Sequence, residues 1–264
     1  MKIRPCSDRP ILEPCSVEGY AFQLDPYIGC EHRCYYCYAL NQAETDWAEE
    51  ILVHRELVGQ LGRELSALEP QPMYIGWNSD AYQPCEASYG HTRQALELLA
   101  QRGFPVCILT KSDLVTRDMD LVASMPGSSV GFSIAFQDEG VRRLFEVAAP
   151  PNERRLEALR RLKEGGIETY VLVTPVMPFI SDVRALIDLV APYADTIWIY
   201  GLSLKAEEDR NWHNLRDILE RHFPELVEPY RHITFSADHP YWAELRGELE
   251  ASGRERGLDL RIGL

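Results

Sequence analysis

Short apolar runs alternate with longer amphipathic stretches along most of the chain. Six runs read as strands: AFQLDPYIG at 21–29, PMYIGW at 72–77, PVCILT at 105–110, SSVGFSI at 128–134, ETYVLVTPV at 168–176 and DTIWIYGL at 195–202. Between them lie helices. HTRQALELLAQRG at 91–103 carries apolar residues at helical spacing and ends on glycine. NERRLEALRRLKEGG at 152–166 sets Leu156, Leu159 and Leu162 on one stripe opposite a charged face, with a Gly-Gly stop. SDVRALIDLVAPY at 181–193 opens with a serine or aspartate cap. Residues 50–68 are ambiguous, reading as a short strand in ILVHREL followed by a helix through VGQLGRELSAL. Strands separated by helices predict a parallel sheet, and six of them predict a partial (β/α)6 barrel rather than a closed eight-stranded one. The expected division is a barrel over 1–202 and a helical and mixed extension over 203–264, with one further strand in ITFSAD at 233–238, capping the barrel.

Composition narrows the class. At 264 residues, 45% hydrophobic and 26% charged, the chain suits a globular α/β domain. No apolar run reaches the roughly 18 residues that span a bilayer, and the opening MKIRPCSDRP has no apolar signal core, so a cytoplasmic location is expected. The net charge of −14 argues against a nucleic-acid partner held by counterion release, although it leaves room for a local basic groove. Seven cysteines, three of them within eight residues, point to metal rather than to a disulfide framework.

Those three are Cys30, Cys34 and Cys37 in GCEHRCYYCYA, spaced C-x3-C-x2-C directly behind the first strand. Chemistry in barrel enzymes sits in loops at the carboxyl ends of strands. Thiolates are the usual ligands of iron–sulfur clusters, and a cubane takes four. Three thiolates leave one iron open to an external chelate such as the amino and carboxylate groups of methionine. A zinc site is the competing reading, but it ordinarily brings a second cysteine pair, and none is present. Cys6, Cys15, Cys85 and Cys107 contain no compact pair, and Cys107 lies inside an apolar run as a small buried hydrophobe would. His32 stands between the cysteines and is not assigned as a ligand, because a fourth protein ligand would close the open iron; the other histidines show no metal-type spacing.

This motif resembles the hallmark of the radical S-adenosylmethionine superfamily. More narrowly, DPYIGCEHRCYYCYA resembles the opening of its spore photoproduct lyase-like branch, whose pattern reads NPYxGCxHxCxYCYA. The likeness runs through WNSDAYQPCEASYGHTRQALELL, FPVCILTKSDLVTRDMDLV, VGFSIAFQDE and VLVTPVMPFISD, over roughly residues 20–202. It implies a [4Fe-4S] cluster on Cys30, Cys34 and Cys37 and bound S-adenosylmethionine. By the same resemblance Ser79 and Asp80 would meet the methionyl amino group, Lys111 the carboxylate, and Ser133 the bound cofactor. Thr174 to Val176 would offer backbone to the adenine, with Tyr36 and Tyr38 packed around cluster and cofactor.

The activity implied is reductive cleavage of S-adenosylmethionine to a 5′-deoxyadenosyl radical that takes a hydrogen atom from a substrate the sequence does not assign. An electron donor such as flavodoxin or ferredoxin would supply the electron. Repair of a thymine dimer in DNA is one alternative; a non-enzymatic iron–sulfur carrier or redox sensor is another. Against repair stand the acidic charge and Trp77, which occupies the position where the lyase pattern carries a hydrogen-donating cysteine two residues before the loop serine. Cys85, farther along the same loop, is the candidate donor here.

Overall fold

The computed structural model describes residues 1–6, 9–43, 45–236 and 239–264. Its strands are β1 (Lys2–Cys6), β2 (Leu12–Pro14), β3 (Phe22–Leu24), β4 (Tyr27–Ile28), β5 (Glu50–His54), β6 (Met73–Ile75), β7 (Val106–Thr110), β8 (Ser129–Ser133), β9 (Glu168–Val173), β10 (Thr196–Tyr200) and β11 (Leu260–Gly263). The helices are α1 (Leu57–Leu65), α2 (Glu86–Tyr89), α3 (His91–Gln101), α4 (Met119–Ala123), α5 (Glu139–Phe145), α6 (Asn152–Glu164), α7 (Val183–Val190), α8 (Arg210–His222), α9 (Val227–Phe235) and α10 (Tyr241–Arg256). Contacts divide the chain into two compact units: Met1–His32, Ala43–Phe132 and Glu153–Thr169 form the first, Arg33–Gln42, Ser133–Asn152 and Tyr170–Leu264 the second.

In the first unit β3, β6, β7 and β8 run parallel, with β2 antiparallel on the outer side of β3. Leu24, Ile75, Ile108 and Val130 are register partners from strand to strand, and all four are fully buried. Such a row explains the near-continuous apolar runs, because a parallel sheet is covered on both faces. The cover comes from helices with apolar stripes, among them α3 through Ala95, Leu96 and Leu99, and α6 through Leu159 and Leu162. A second, smaller sheet joins β1 and β5 in parallel and β5 to β4 antiparallel.

In the second unit β9, β10 and β11 run parallel, and Val171, Ile197 and Leu260 share one register row. Helix α7 starts where the cap chemistry put it: the Asp182 carboxylate accepts the Ala185 N–H at 2.9 Å. The main core of this unit gathers Trp212, Leu215, Ile218 and Leu219 of α8 with Phe136, Phe145, Met177 and Tyr230.

Five of the six predicted strands form as single strands, while the run at 21–29 divides into β3 beside β6 and β4 beside β5; the strand and helix read from the ambiguous stretch at 50–68 also form. The boundary expected at 202/203 falls inside the second unit. The predicted strand at 233–238 is corrected: Ile233 to Phe235 finish α9, which buries Tyr230 and Ile233 one turn apart, and residues 237 and 238 lie outside the described residues. Packing of that helical stripe overrides the local β-propensity of Ile-Thr-Phe. The strand of the extension is instead LRIG, at β11. Among the described residues no helix is long and apolar enough to cross a membrane.

Candidate cluster and cofactor site

The site is built from two loops of the first unit, one following β3 and one following β6. Gly76 makes the second loop possible. It holds φ at +90°, and a Cβ there would lie 2.3 Å from the Leu109 carbonyl oxygen, so no other residue fits that turn. Gly29 plays the same part in the first loop, at φ +90° with Ile51 and Trp47 at 3.0 and 3.1 Å from the position of a Cβ.

Side chains zip these loops together. The Asp25 carboxylate, at the end of β3, accepts the N–H groups of Asn78 (3.2 Å) and Ser79 (3.3 Å) and the Gln23 amide (3.1 Å). Burial pushes Asp25 up to about 7 against those three hydrogen bonds. The Ser79 hydroxyl donates to the Tyr27 carbonyl at 2.7 Å, and the Tyr27 hydroxyl donates to Glu86. Glu31 accepts the Cys85 N–H, and the fully buried Gln83 bridges Gly29 and Glu31.

Asp80 ties this assembly to β7. Its Oδ1 accepts the Tyr82 N–H (2.8 Å) and the Thr110 hydroxyl (2.6 Å), and its Oδ2 accepts the Lys111 N–H (2.7 Å). His32 Nε2 lies 3.1 Å from Oδ2, outside hydrogen-bond alignment. Burial raises the Asp80 pKa, but the His32 ring and the donors from Thr110 and Lys111 outweigh it, so the carboxyl stays well below the usual range. The side chains of Ser79 and Asp80 are therefore committed to the protein itself.

The cysteines fall on both sides of the unit division, Cys30 in the first and Cys34 and Cys37 in the second. In the second unit Cys34 makes an antiparallel bridge with Glu146, the Tyr35 N–H donates to the Phe145 carbonyl at 2.9 Å, and the Cys37 N–H donates to the Cys34 carbonyl at 3.1 Å. Cys34 is buried, while Cys30 and Cys37 keep accessible surface. No disulfide joins any of the seven cysteines, and the thiolate is the form that ligates a cluster. Among the described residues no three His, Cys, Asp or Glu side chains converge as ligands of one ion do. Thiolates of a cubane each take a different iron and need no such convergence.

The remaining predicted positions have definite surroundings. Tyr36 is buried in the α8 core, its hydroxyl donating to Glu146 and its ring 6.2 Å from Phe136. Tyr38 opens a 3-10 turn over Tyr38–Gln42. Ser133, at the end of β8, donates from its hydroxyl to the Thr174 carbonyl at 3.3 Å. The Val176 side chain is fully buried and its N–H donates to Tyr200 at 2.8 Å, which leaves that donor engaged. The Cys85 thiol packs with Tyr27, Ile51 and Val53, and burial together with Glu31 pushes its pKa up, keeping it protonated. Sequence reasoning missed Asp25, Glu31 and Gln83. Asp25 had a signal, an aspartate where the lyase-like pattern has asparagine. Gln83 had none, since its partners stand 54 and 52 positions away.

A family model described as the Radical SAM superfamily matches residues 24–190. The chain belongs to the radical SAM superfamily. An uncharacterized protein of Methanocaldococcus jannaschii is 31% identical over 221 residues, covering 82% of each chain. Among solved structures, a spore photoproduct lyase variant with bound S-adenosylmethionine and dinucleoside spore photoproduct superposes with a TM-score of 0.65 at 15% identity, over 98% of this chain and 80% of that one. Another lyase structure is covered over 66% of its length. Streptococcus suis SuiB bound to its precursor peptide SuiA matches with a TM-score of 0.60 at 12% identity, over 93% of this chain and 49% of that one. At these identities the likeness concerns the fold, a mixed α/β partial barrel of radical SAM type. Members of the superfamily are enzymes, and they typically bind a [4Fe-4S] cluster and S-adenosylmethionine.

Proposed function

We propose that this protein cleaves S-adenosylmethionine reductively at a [4Fe-4S] cluster held by Cys30, Cys34 and Cys37. The observation that carries this reading is the cysteine loop behind β3, laced by Asp25, Ser79, Gln83 and Glu31 to the loop behind β6. When bound, cluster and cofactor together supply a 5′-deoxyadenosyl radical able to take a hydrogen atom from an unreactive C–H bond. The protein's own residues position and shield. Asp80 fixes the backbone of Lys111, whose ammonium meets the methionyl carboxylate. The loop over residues 77–80 receives the methionyl amino group through its backbone, with Ser79 and Asp80 acting as its braces. Ser133 and Thr174 flank the bound cofactor from the ends of β8 and β9. Cys85, protonated and buried with Tyr27, Ile51 and Val53, is the candidate hydrogen-atom donor to the radical formed on the substrate. The electron comes from an external donor such as flavodoxin or ferredoxin.

The substrate class is left open. One structural neighbour holds a dinucleoside photoproduct and another a peptide, so the fold does not select between them. The net charge of −14 and Trp77 in the loop both speak against DNA repair. Anaerobic reconstitution tests the cofactor reading. About four irons per chain, with a reduced-cluster electron paramagnetic resonance signal that shifts on adding S-adenosylmethionine, is the expected result. A cluster whose signal ignores the cofactor would assign the chain to the electron carriers instead.

A further inference from the structure

Gln83 sits in the loop behind β6 with no exposed surface. Its side chain makes two bonds to one short piece of the cysteine loop. Nε2 donates to the Gly29 carbonyl at 3.0 Å, and Oε1 accepts the Glu31 N–H at 2.8 Å. These two peptide groups are the ones on either side of Cys30. The orientation of the amide is unambiguous, because a flipped amide would set donor against donor and acceptor against acceptor. Both backbone dihedrals of Cys30 are thereby held from a single side chain. Gln83 is itself anchored, its N–H donating to the Asp80 carbonyl at 3.2 Å and its carbonyl accepting the Glu86 N–H at 2.9 Å.

We propose that Gln83 is a positioning residue for the cluster, setting the placement of the Cys30 thiolate through the peptide groups on both sides of it. By sharing a turn with Asp80, it also joins that ligand to the segment that holds Lys111. This rests on the reading that Cys30 ligates the cluster. Groups that orient metal ligands typically change metal affinity by about 10–100-fold when removed.

Two substitutions separate the role from bulk stability. Gln83→Met keeps the length and loses both bonds; Gln83→Glu keeps the acceptor and loses the donor to Gly29. Thr92→Val is the control: it removes a buried hydrogen bond to the Ala81 carbonyl in the same segment, a bond that does not involve Gly29, Cys30 or Glu31. Each reconstituted protein is challenged with an iron chelator while its unfolding temperature is recorded. Cluster loss about tenfold faster in both Gln83 variants, with Thr92→Val near the wild-type rate, is the expected result. Gln83 variants that lose iron no faster than the control would overturn the proposal. Should neither variant fold, amide exchange on the wild-type holoprotein decides: the Glu31 N–H must be protected, and fast exchange there contradicts the clamp. A wild-type chain that binds no cluster at all would remove the underlying reading, and the proposal with it.

Discussion

Asp25 and Asp80 brace the same loop, yet they couple to pH with opposite sign. Burial raises Asp25 to about 7, so the native state holds its proton where the unfolded chain has released it. Its contribution to stability therefore falls as pH rises from about 4 to about 7 and is level above that. Relative to an Asp25→Asn variant, wild type should lose on the order of 2 kcal/mol across that window, discounted because Asp25 keeps an edge in solvent. A difference that does not change with pH would contradict the assignment. Asp80 runs the other way. Its lowered pKa adds stability above about pH 4 that is lost as pH falls below that value. Asp80→Asn should cost about 2–3 kcal/mol at neutral pH, with the gap from wild type closing on acidification, as chemical denaturation at several pH values would reveal.

Elements were far more legible than the site. Period located the six strands, because each is a short apolar run set between helical stretches and register rows such as Leu24–Ile75–Ile108–Val130 are buried throughout. The C-terminal elements were harder, since Ile233-Thr234-Phe235 has strand chemistry but ends α9, where Ile233 is buried one turn beyond Tyr230. Short pairs such as β4 and β5 carry little pattern of their own. The turns between elements carry the sharpest predictions. Gly76→Ala should fail to fold or lose more than about 3 kcal/mol, because its Cβ would strike backbone at 2.3 Å and not a movable side chain. Gly29→Ala should be milder, about 1–2 kcal/mol, since Ile51 and Trp47 can yield a few tenths of an ångström. Equal tolerance at both positions, read by thermal unfolding, would show that these loops have another geometry.

At the scale of the whole molecule, the extension expected to cap a barrel shares one core with the segment that bears Cys34 and Cys37, within the second unit. Trp212 and Leu215 of α8 share a buried cluster with Cys34 and Tyr36, and Asn211 donates to the Tyr36 carbonyl at 3.3 Å. That relation was invisible in the sequence, because 175 positions separate Asn211 from Tyr36 and no local pattern pairs them. Trp212→Ala should cost about 3–5 kcal/mol and loosen the segment bearing Cys34 and Cys37, seen as lost amide protection in residues 33–42. Unchanged protection there would mean that α8 stands apart from residues 33–42. The cysteine motif itself was fully legible, being contiguous; the side chains that brace it were not, since they arrive from distant strands.

Release of 5′-deoxyadenosine is the direct readout of radical chemistry. Anaerobically reconstituted protein is mixed with dithionite and S-adenosylmethionine, beside a Cys34→Ala variant, with and without ultraviolet-irradiated DNA. Release by wild type and none by the variant is the predicted result, with irradiated DNA making no difference. No release from protein that is fully loaded with iron and whose cluster signal ignores the cofactor would contradict the account and mark the chain as an electron carrier.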